Sequence, residues 1–506
     1  MSTHTATIQA LQYQVELLTP VHIGSGDVYV KGLEYFPPSR GDSGSQIKVL
    51  PKNWLTRIEK DLDISAINDL ADRIDAGEVQ AWLSKTGQMK NLPIHSLSLN
   101  HSERPPREVR QQIRDGMGNP LLPGSSLKGA MRTSIVYALL QSDPNLQQSL
   151  ERIQDQYRRE RPRRTQYADQ KLMSEILGRN PNYDLMRALR VGDVLTEPPF
   201  QCGLHKVQTL TLSNATHFKE KFLNVVEGLN SGHVGLGLLS FDQYLLHKAA
   251  TKAREGFTFP SEFDQDFLLR ALNQTSRDLL QSELAFLEDK QGQHIEQLKN
   301  EYLQLQRELE NLDQNEALFN CGWGTGWLGM TGPLMDNDDL QKENHALRKA
   351  LQLAANKDRD TGKFRYLQFP FPKSRRVALT NGSAAPLGWI KIRVQSMEAV
   401  REQQRVEADK RHQEQLRLKA EKKAQEEWEA LPAEERLVRE LESDQLDQTA
   451  IGQRFEEILA LEGEYLTRAA EQLKRLWKEW GQWNVKPKKQ KQYKKVQRVK
   501  KILGED

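Results

Sequence analysis

The apolar residues of this chain change their spacing for good near Val394, and that change constrains the fold more than any other feature. Before it, short runs alternate apolar and polar side chains, as a half-buried strand requires, and runs with helical spacing lie between them. After it, only helical spacing is left. The expected fold class is therefore α+β, with an all-helical end. The first strand is predicted from Tyr13, Val15 and Leu17 alternating with Gln14 and Glu16, closed by Thr19-Pro20. Helical spacing covers Asp61 to Lys85, and residues 86–115 read as loop. A helix is expected to start at Ser125 or Ser126 and to run through Ile135, Val136, Leu139 and Leu140. Alternation returns at Val207 to Leu212, at Phe222 to Val226, and at Gly388 to Val394 after a turn at Asn381-Gly382.

Leu239 to Ala317 is helix-rich and polar, and reads as an inserted helical hairpin. Gln395 to Glu427 reads as a solvated helix. The stripe from Ile451 to Trp480 needs a cover, because an exposed apolar face of that length invites association. The expected segments are 1–239 (with a helical insertion at about 55–115), 240–316, 317–395, a helical extension at 396–483 and a basic tail at 484–506. At roughly 150 residues per domain, the 506 residues make two to four domains.

Composition narrows the class. Apolar residues are 37% and charged residues 28%, with a mean hydropathy of -0.70, so part of the length is solvated rather than core. The longest uncharged run, Ala317 to Met335, holds five glycines and a proline, which argues against a membrane helix. No secretion signal is expected, and two cysteines make neither a disulfide framework nor a zinc site, so a reducing, cytoplasmic home is expected. The net charge of +3 hides a local excess: Asn484 to Lys501 carries nine Lys/Arg and no acid, with Tyr493 as its apparent anchor. Such a tail is expected to lie along RNA or a neighbour and to order on binding.

Four segments carry candidate chemistry. In Pro123–Arg132, Ser125 and Ser126 offer hydroxyls and amides at a helix start, a natural phosphate site. Lys128 and Arg132 then share a helix face that can hold phosphates without reading bases. The same pattern is also that of a structural helix start. His22 with Gly24, Ser25, Gly26 and Asp27 is either a phosphate loop or a turn. A metal-independent RNase using His22 or Asp27 is the enzymatic alternative, and a helical scaffold recruiting another protein is a third. In Gly322–Gly329, Gly322, Gly324 and Gly326 let the backbone approach a ligand, and Trp323 and Trp327 either stack on bases or pack inside. Lys373, Arg375 and Arg376 form a compact basic patch beside a strand. HExxH, paired CxxC, GxSxG and Walker patterns are absent from the sequence.

Taken in order, three of these segments resemble the signatures of RAMP-superfamily (Cas7-like) CRISPR subunits. They are Thr19-Pro20-Val21-His22-Ile23-Gly24-Ser25-Gly26, Leu122 to Arg132, and Gly322-Trp323-Gly324-Thr325-Gly326-Trp327-Leu328. The phrase Phe371 to Arg376, with Leu387-Gly388-Trp389, is similar to the subgroup of the fifth Csm subunit of type III-A complexes. The long helical stretches suggest the insertion-bearing Cas7 of type III-D as the other relative. The resemblance covers about 1–60, 118–240 and 317–395. It implies an RRM-like (ferredoxin-like) core; no cofactor, no metal and no catalytic residue are expected, because the sequence shows no paired acid/base constellation or metal cluster. It also implies a structural subunit that holds guide RNA near its 3' end, alongside Cas10-type and Cas7-type subunits, with target RNA as a further partner and no membrane. Carried over, Ser125, Ser126, Lys128, Arg132, His22, Gly24, Gly26, Gly322, Gly324 and Gly326 are its RNA-facing positions, with Lys373, Arg375 and Arg376 beside them.

Overall fold

The computed structural model describes residues 8–36, 46–92, 95–99, 106–142, 170–178, 181–196, 202–250, 263–330, 360–362, 369–380, 383–443, 445–487 and 490–505. The expected basic stretch Arg158 to Arg164 and the turn at Asn381-Gly382 lie outside them. The chain divides into two compact units, Met1–Val400 and Arg401–Asp506.

The first unit is built on two sheets, with strands numbered in chain order. The five-stranded sheet runs β13 (Glu316–Asn320), β16 (Trp389–Ser396), β1 (Ile8–Leu17), β12 (Gly232–Asp242), β8 (Leu189–Val191), every neighbouring pair antiparallel. Leu11, Tyr13, Val15 and Leu17 of β1 all point to one face, as the alternation demands. The helix Gly124–Gln141 covers that face with Leu127, Met131 and Ile135, and the helix Gln265–Leu287 with Leu268, Leu269 and Leu272. This second helix, within the 240–316 stretch, packs on the main core, and its polar Ser276 and Glu283 are buried as well. Residues 239–242 are moreover the end of a strand.

The nine-stranded sheet follows the path β2 (Gly24–Val30), β6 (Glu108–Gln112), β11 (Phe218–Leu229), β10 (Cys202–Leu212), β5 (His95–Leu99), β4 (Gln46–Val49), β3 (Tyr35–Phe36), with β14 (Ser374–Thr380) also on β10 and β15 (Ser383–Pro386) on β14. A two-stranded ribbon joins β7 (Leu121–Leu122) to β9 (Val194–Leu195). Two expectations fail here. The stretch 86–115 contains β5 and β6, too short to show alternation. The glycines 24–26 open β2 instead of forming a loop. The helical reading of 61–85 holds as two helices, Ile64–Ala76 and Val79–Lys85. The first is capped by Asp63 and stopped at Gly77, whose φ of 73° suits glycine.

The second unit is helical. Leu437, Ile451, Phe455, Ile458, Leu473 and Trp477 close a core of their own, the cover that the apolar stripe required. The helix Met397–Ala430 reaches into this unit and is solvated as expected, with Val400 its one buried residue. The basic tail is a correction. Gln490–Ile502 is a helix whose Val496 and Val499 are 2% and 0% exposed in the core. Apolar spacing among the lysines anchors it in that core.

Candidate nucleic-acid interface

Three segments distant in sequence are tied together where β1 ends by hydrogen bonds that main-chain amides donate. Trp389 N donates to Thr19 Oγ1 (3.0 Å), Gly388 N to Pro20 O (2.9 Å), Cys321 N to Gly388 O (2.8 Å) and Trp323 N to His22 O (2.8 Å). Cys321 Sγ reaches Ser126 O at 3.6 Å, which brings in the start of the helix Gly124–Gln141. Gly322 is required at this crossing. Its φ is 89°, and a Cβ there would sit 2.8 Å from His22 O.

Trp323 is the centre of the site. Its ring lies against Val207, Val226 and Ala378, from β10, β11 and β14 of the large sheet. Arg110 on β6 and Arg376 on β14 bring their guanidinium carbons to 5.5 Å and 4.6 Å from the indole centroid. These strands are separated by β11 and β10, so the two cations reach the ring from strands that flank the pair beneath it. Both side chains are exposed, and neither pairs with a carboxylate among the described residues. Burial, and then the charge of Arg110, hold the Arg376 guanidinium below its usual pKa. Two like charges held close without a counter-ion attract an anion of phosphate type. Of the two roles open to Trp323, stacking on bases or packing inside, the ring takes the packed one on this face and carries the two arginines.

Arg110 was not among the sequence candidates. It stands on a short strand inside a stretch read as loop. Beneath it, the fully buried Glu227 accepts from Gln112 N (3.0 Å) and from the Arg114 guanidinium, fixing β6 to β11. Burial pushes the Glu227 carboxyl up, and Arg114 opposes that shift.

The other candidates separate into groups. Gly322, Gly324, Gly326, Lys373, Arg375 and Arg376 line one cavity of about 540 Å³, so the late glycine loop and the basic patch do meet. Within the patch, Arg375 faces inward. It is 9% exposed, its Nε donates to Glu283 Oε2 at 2.7 Å, and it lies over Phe286. Adjacent strand residues face opposite sides, so Arg376 can be exposed only if Arg375 is not. Lys373 lies over Phe369 at 4.6 Å. His22 is 2% exposed, with Nδ1 on Glu227 O at 2.6 Å and its ring edge-on to Trp323 at 5.8 Å. Burial lowers its pKa to about 4, against the hydrogen bond to Glu227 O. It therefore packs as a neutral ring and is withdrawn as a phosphate ligand. Gly24 and Gly26 are exposed at the start of β2, as is Asp27.

At the second motif the helix starts at Gly124 with Pro123 as N-cap, one or two residues earlier than expected, and Gly124 N donates to Asp193 Oδ1 at 2.6 Å. A carboxylate thus occupies one first-turn amide, and of the two amides the sequence offered to phosphate, Ser126 N donates to Pro123 O at 3.0 Å. Ser125 is exposed, while Ser126, Lys128 and Arg132 are half-buried. Burial lowers the Lys128 pKa, with Asp184 opposing. Among the described residues, no three His, Cys, Asp or Glu gather as a metal site would need, and no helix is long and apolar enough to cross a membrane.

This geometry agrees with the comparisons to known proteins. The RAMP superfamily profile matches residues 14–329, and the chain belongs to that superfamily. A "CRISPR system Cms protein Csm5" from Methanocaldococcus jannaschii is 24% identical over 415 residues, covering 76% of this chain and 88% of the relative. Among solved structures, a chain of the "Csm-crRNA-target RNA ternary complex in type III-A CRISPR-Cas system" is 20% identical. It matches with a TM-score of 0.55 over 76% of this chain and all of its own length. The T. onnurineus Csm5 crystal structure is 19% identical with a TM-score of 0.52, over 74% and 99%. At these identities the two structures speak for the fold.

Proposed function

We propose that the chain is a guide-RNA-binding structural subunit of a type III CRISPR ribonucleoprotein, working in the cytoplasm with Cas7-type and Cas10-type subunits. It ends the complex near the 3' end of the guide. The observation that carries this reading is the pair Arg110 and Arg376 on Trp323, two exposed guanidiniums without a carboxylate where the family's segments converge. Guanidiniums so placed grip phosphates and carry no base sequence. Gly24 and Gly26 at the start of β2, with Ser125, Ser126, Lys128 and Arg132 on the neighbouring helix, extend the track. The RRM-like reading of the core is supported by the order β16-β1-β12-β8, with one helix after β1 and another after β12, and β13 added at the edge. The names of the relatives support the setting.

The chain is proposed to bind RNA without cutting it. His22 is neutral and enclosed, so it is poorly placed to move protons, and Asp27 stands exposed. Incubation of the full chain with labelled single-stranded RNA, scored together for gel shift and cleavage, tests both halves. A salt-sensitive shift with intact RNA is expected. Robust cleavage abolished by Asp27→Asn with binding intact reverses the second half, and no shift at low salt reverses the first.

A further inference from the structure

The ladder between β6 and β11 registers a single residue pair, Arg110 with Val226. That is little main-chain support on the side from which Arg110 reaches the Trp323 ring. The rest of the tie is polar and buried. The Glu227 carboxylate, next in sequence to Val226, accepts from Gln112 N at 3.0 Å and from the Arg114 guanidinium, so it holds β6 just beyond Arg110. Gln112 is 0% exposed. Its Oε1 accepts from Ile23 N at 2.9 Å and its Nε2 donates to Leu121 O at 3.1 Å, which joins the strand to the first and second motifs. The main-chain oxygen of Glu227 accepts from His22 Nδ1 at 2.6 Å, and His22 O accepts from Trp323 N. One residue therefore sits behind both the cation and the ring. A buried ion pair is a costly way to join two strands, because apolar side chains of similar volume often do so with no loss of stability. What the pair adds is direction: charge-assisted hydrogen bonds hold a strand at one angle, and apolar packing does not.

We propose that the Glu227 side chain, with Gln112 and Arg114, is the positioning element of the RNA grip: it holds β6 so that Arg110 stands over Trp323, and it touches no RNA itself. The inference rests on the RNA-binding reading above. The test is equilibrium binding of the full chain to single-stranded RNA in a mutant cycle. Glu227→Gln with Arg114→Met removes both buried charges, leaves the net charge unchanged and keeps an acceptor for Gln112 N. Glu227→Leu with Arg114→Met removes that acceptor too. Affinity should fall about threefold in the first and about fivefold in the second, the worth of about one hydrogen bond at Arg110. The salt slope should fall by up to about 0.7, one phosphate contact. Neither pair should cost further affinity once Arg110→Ala is present, and both should keep their full effect beside Arg376→Ala. A merely structural pair would cost the same in all three backgrounds. That result, or wild-type affinity in a folded Leu variant, overturns the proposal and leaves the RNA-binding reading standing. If the Leu variant does not fold, the same comparison with the Gln variant decides. Absence of RNA binding by the wild-type protein removes both.

Discussion

The site around Trp323 and the C-terminal helix Gln490–Ile502 are both rich in cations, and they use them in opposite ways. In the helix, Arg498 pairs with Glu456 at 2.6 Å, Lys495 lies over Phe455 and Lys500 over Trp483, and Lys474 of the neighbouring helix pairs with Glu505. Val496 and Val499 then fix the helix in a core. At Trp323, Arg110 and Arg376 share one ring with no carboxylate partner among the described residues, while the adjacent Arg375 is buried on Glu283. The number of lysines and arginines in a segment therefore says little about affinity for a polyanion. What matters is whether the fold has already supplied their counter-charge.

The comparison breaks first at Arg375. Arg375→Ala leaves Glu283 buried and unpaired, and should cost about 3–5 kcal/mol of stability, read by denaturant unfolding. A mild stability loss with a large loss of RNA affinity would move Arg375 back to the surface patch. Next, Val499→Ala should destabilise the second unit by about 2 kcal/mol, because the side chain is fully buried. A tail that orders only on RNA would show no such change.

His22 sharpens the comparison through pH. Its folded pKa, about 4, lies below the ordinary 6.5, so the unfolded chain binds more protons between those values. Its contribution is intact above pH 6.5 and is lost as pH falls toward 4. From pH 7 to pH 5 wild-type protein should lose up to about 2 kcal/mol more than His22→Gln. Equal losses would mean that the imidazole is solvated. The smallest effects on stability are expected at exposed or half-buried charges. Arg498→Ala should barely move thermal unfolding or RNA binding. Lys128→Ala with Arg132→Ala should weaken RNA binding uniformly, and lower the salt slope by no more than the two contacts allow, about 1.4.

Much of this was legible in the sequence. The first strand, parts of β10 and β11, and β16 were found, as were the helix through Leu139 and the solvated helix after Val394, because their periods are local; β2, β5 and β12 were missed. Arg110 was missed because β6 has five residues and owes its existence to partners at Val28 and Val226. The cap at Gly124 depends on Asp193, 69 positions away, so nothing near the Pro-Gly-Ser-Ser segment announced it. Two failures were avoidable. Strand alternation at 374–380 already required Arg375 and Arg376 to part, and Val496, Val499 and Leu503 already mark a helix face among the lysines of the tail.

The central claim is that two guanidiniums on one indole grip RNA phosphates. The direct measurement is the slope of log affinity against log salt for single-stranded RNA, with wild-type protein and with Arg110→Ala combined with Arg376→Ala. The double variant should fold normally, bind all sequences about 30-fold more weakly, and show a slope reduced by about 1.4, since each phosphate contact releases about 0.7 counter-ion. A normally folded variant with the wild-type slope would contradict the account.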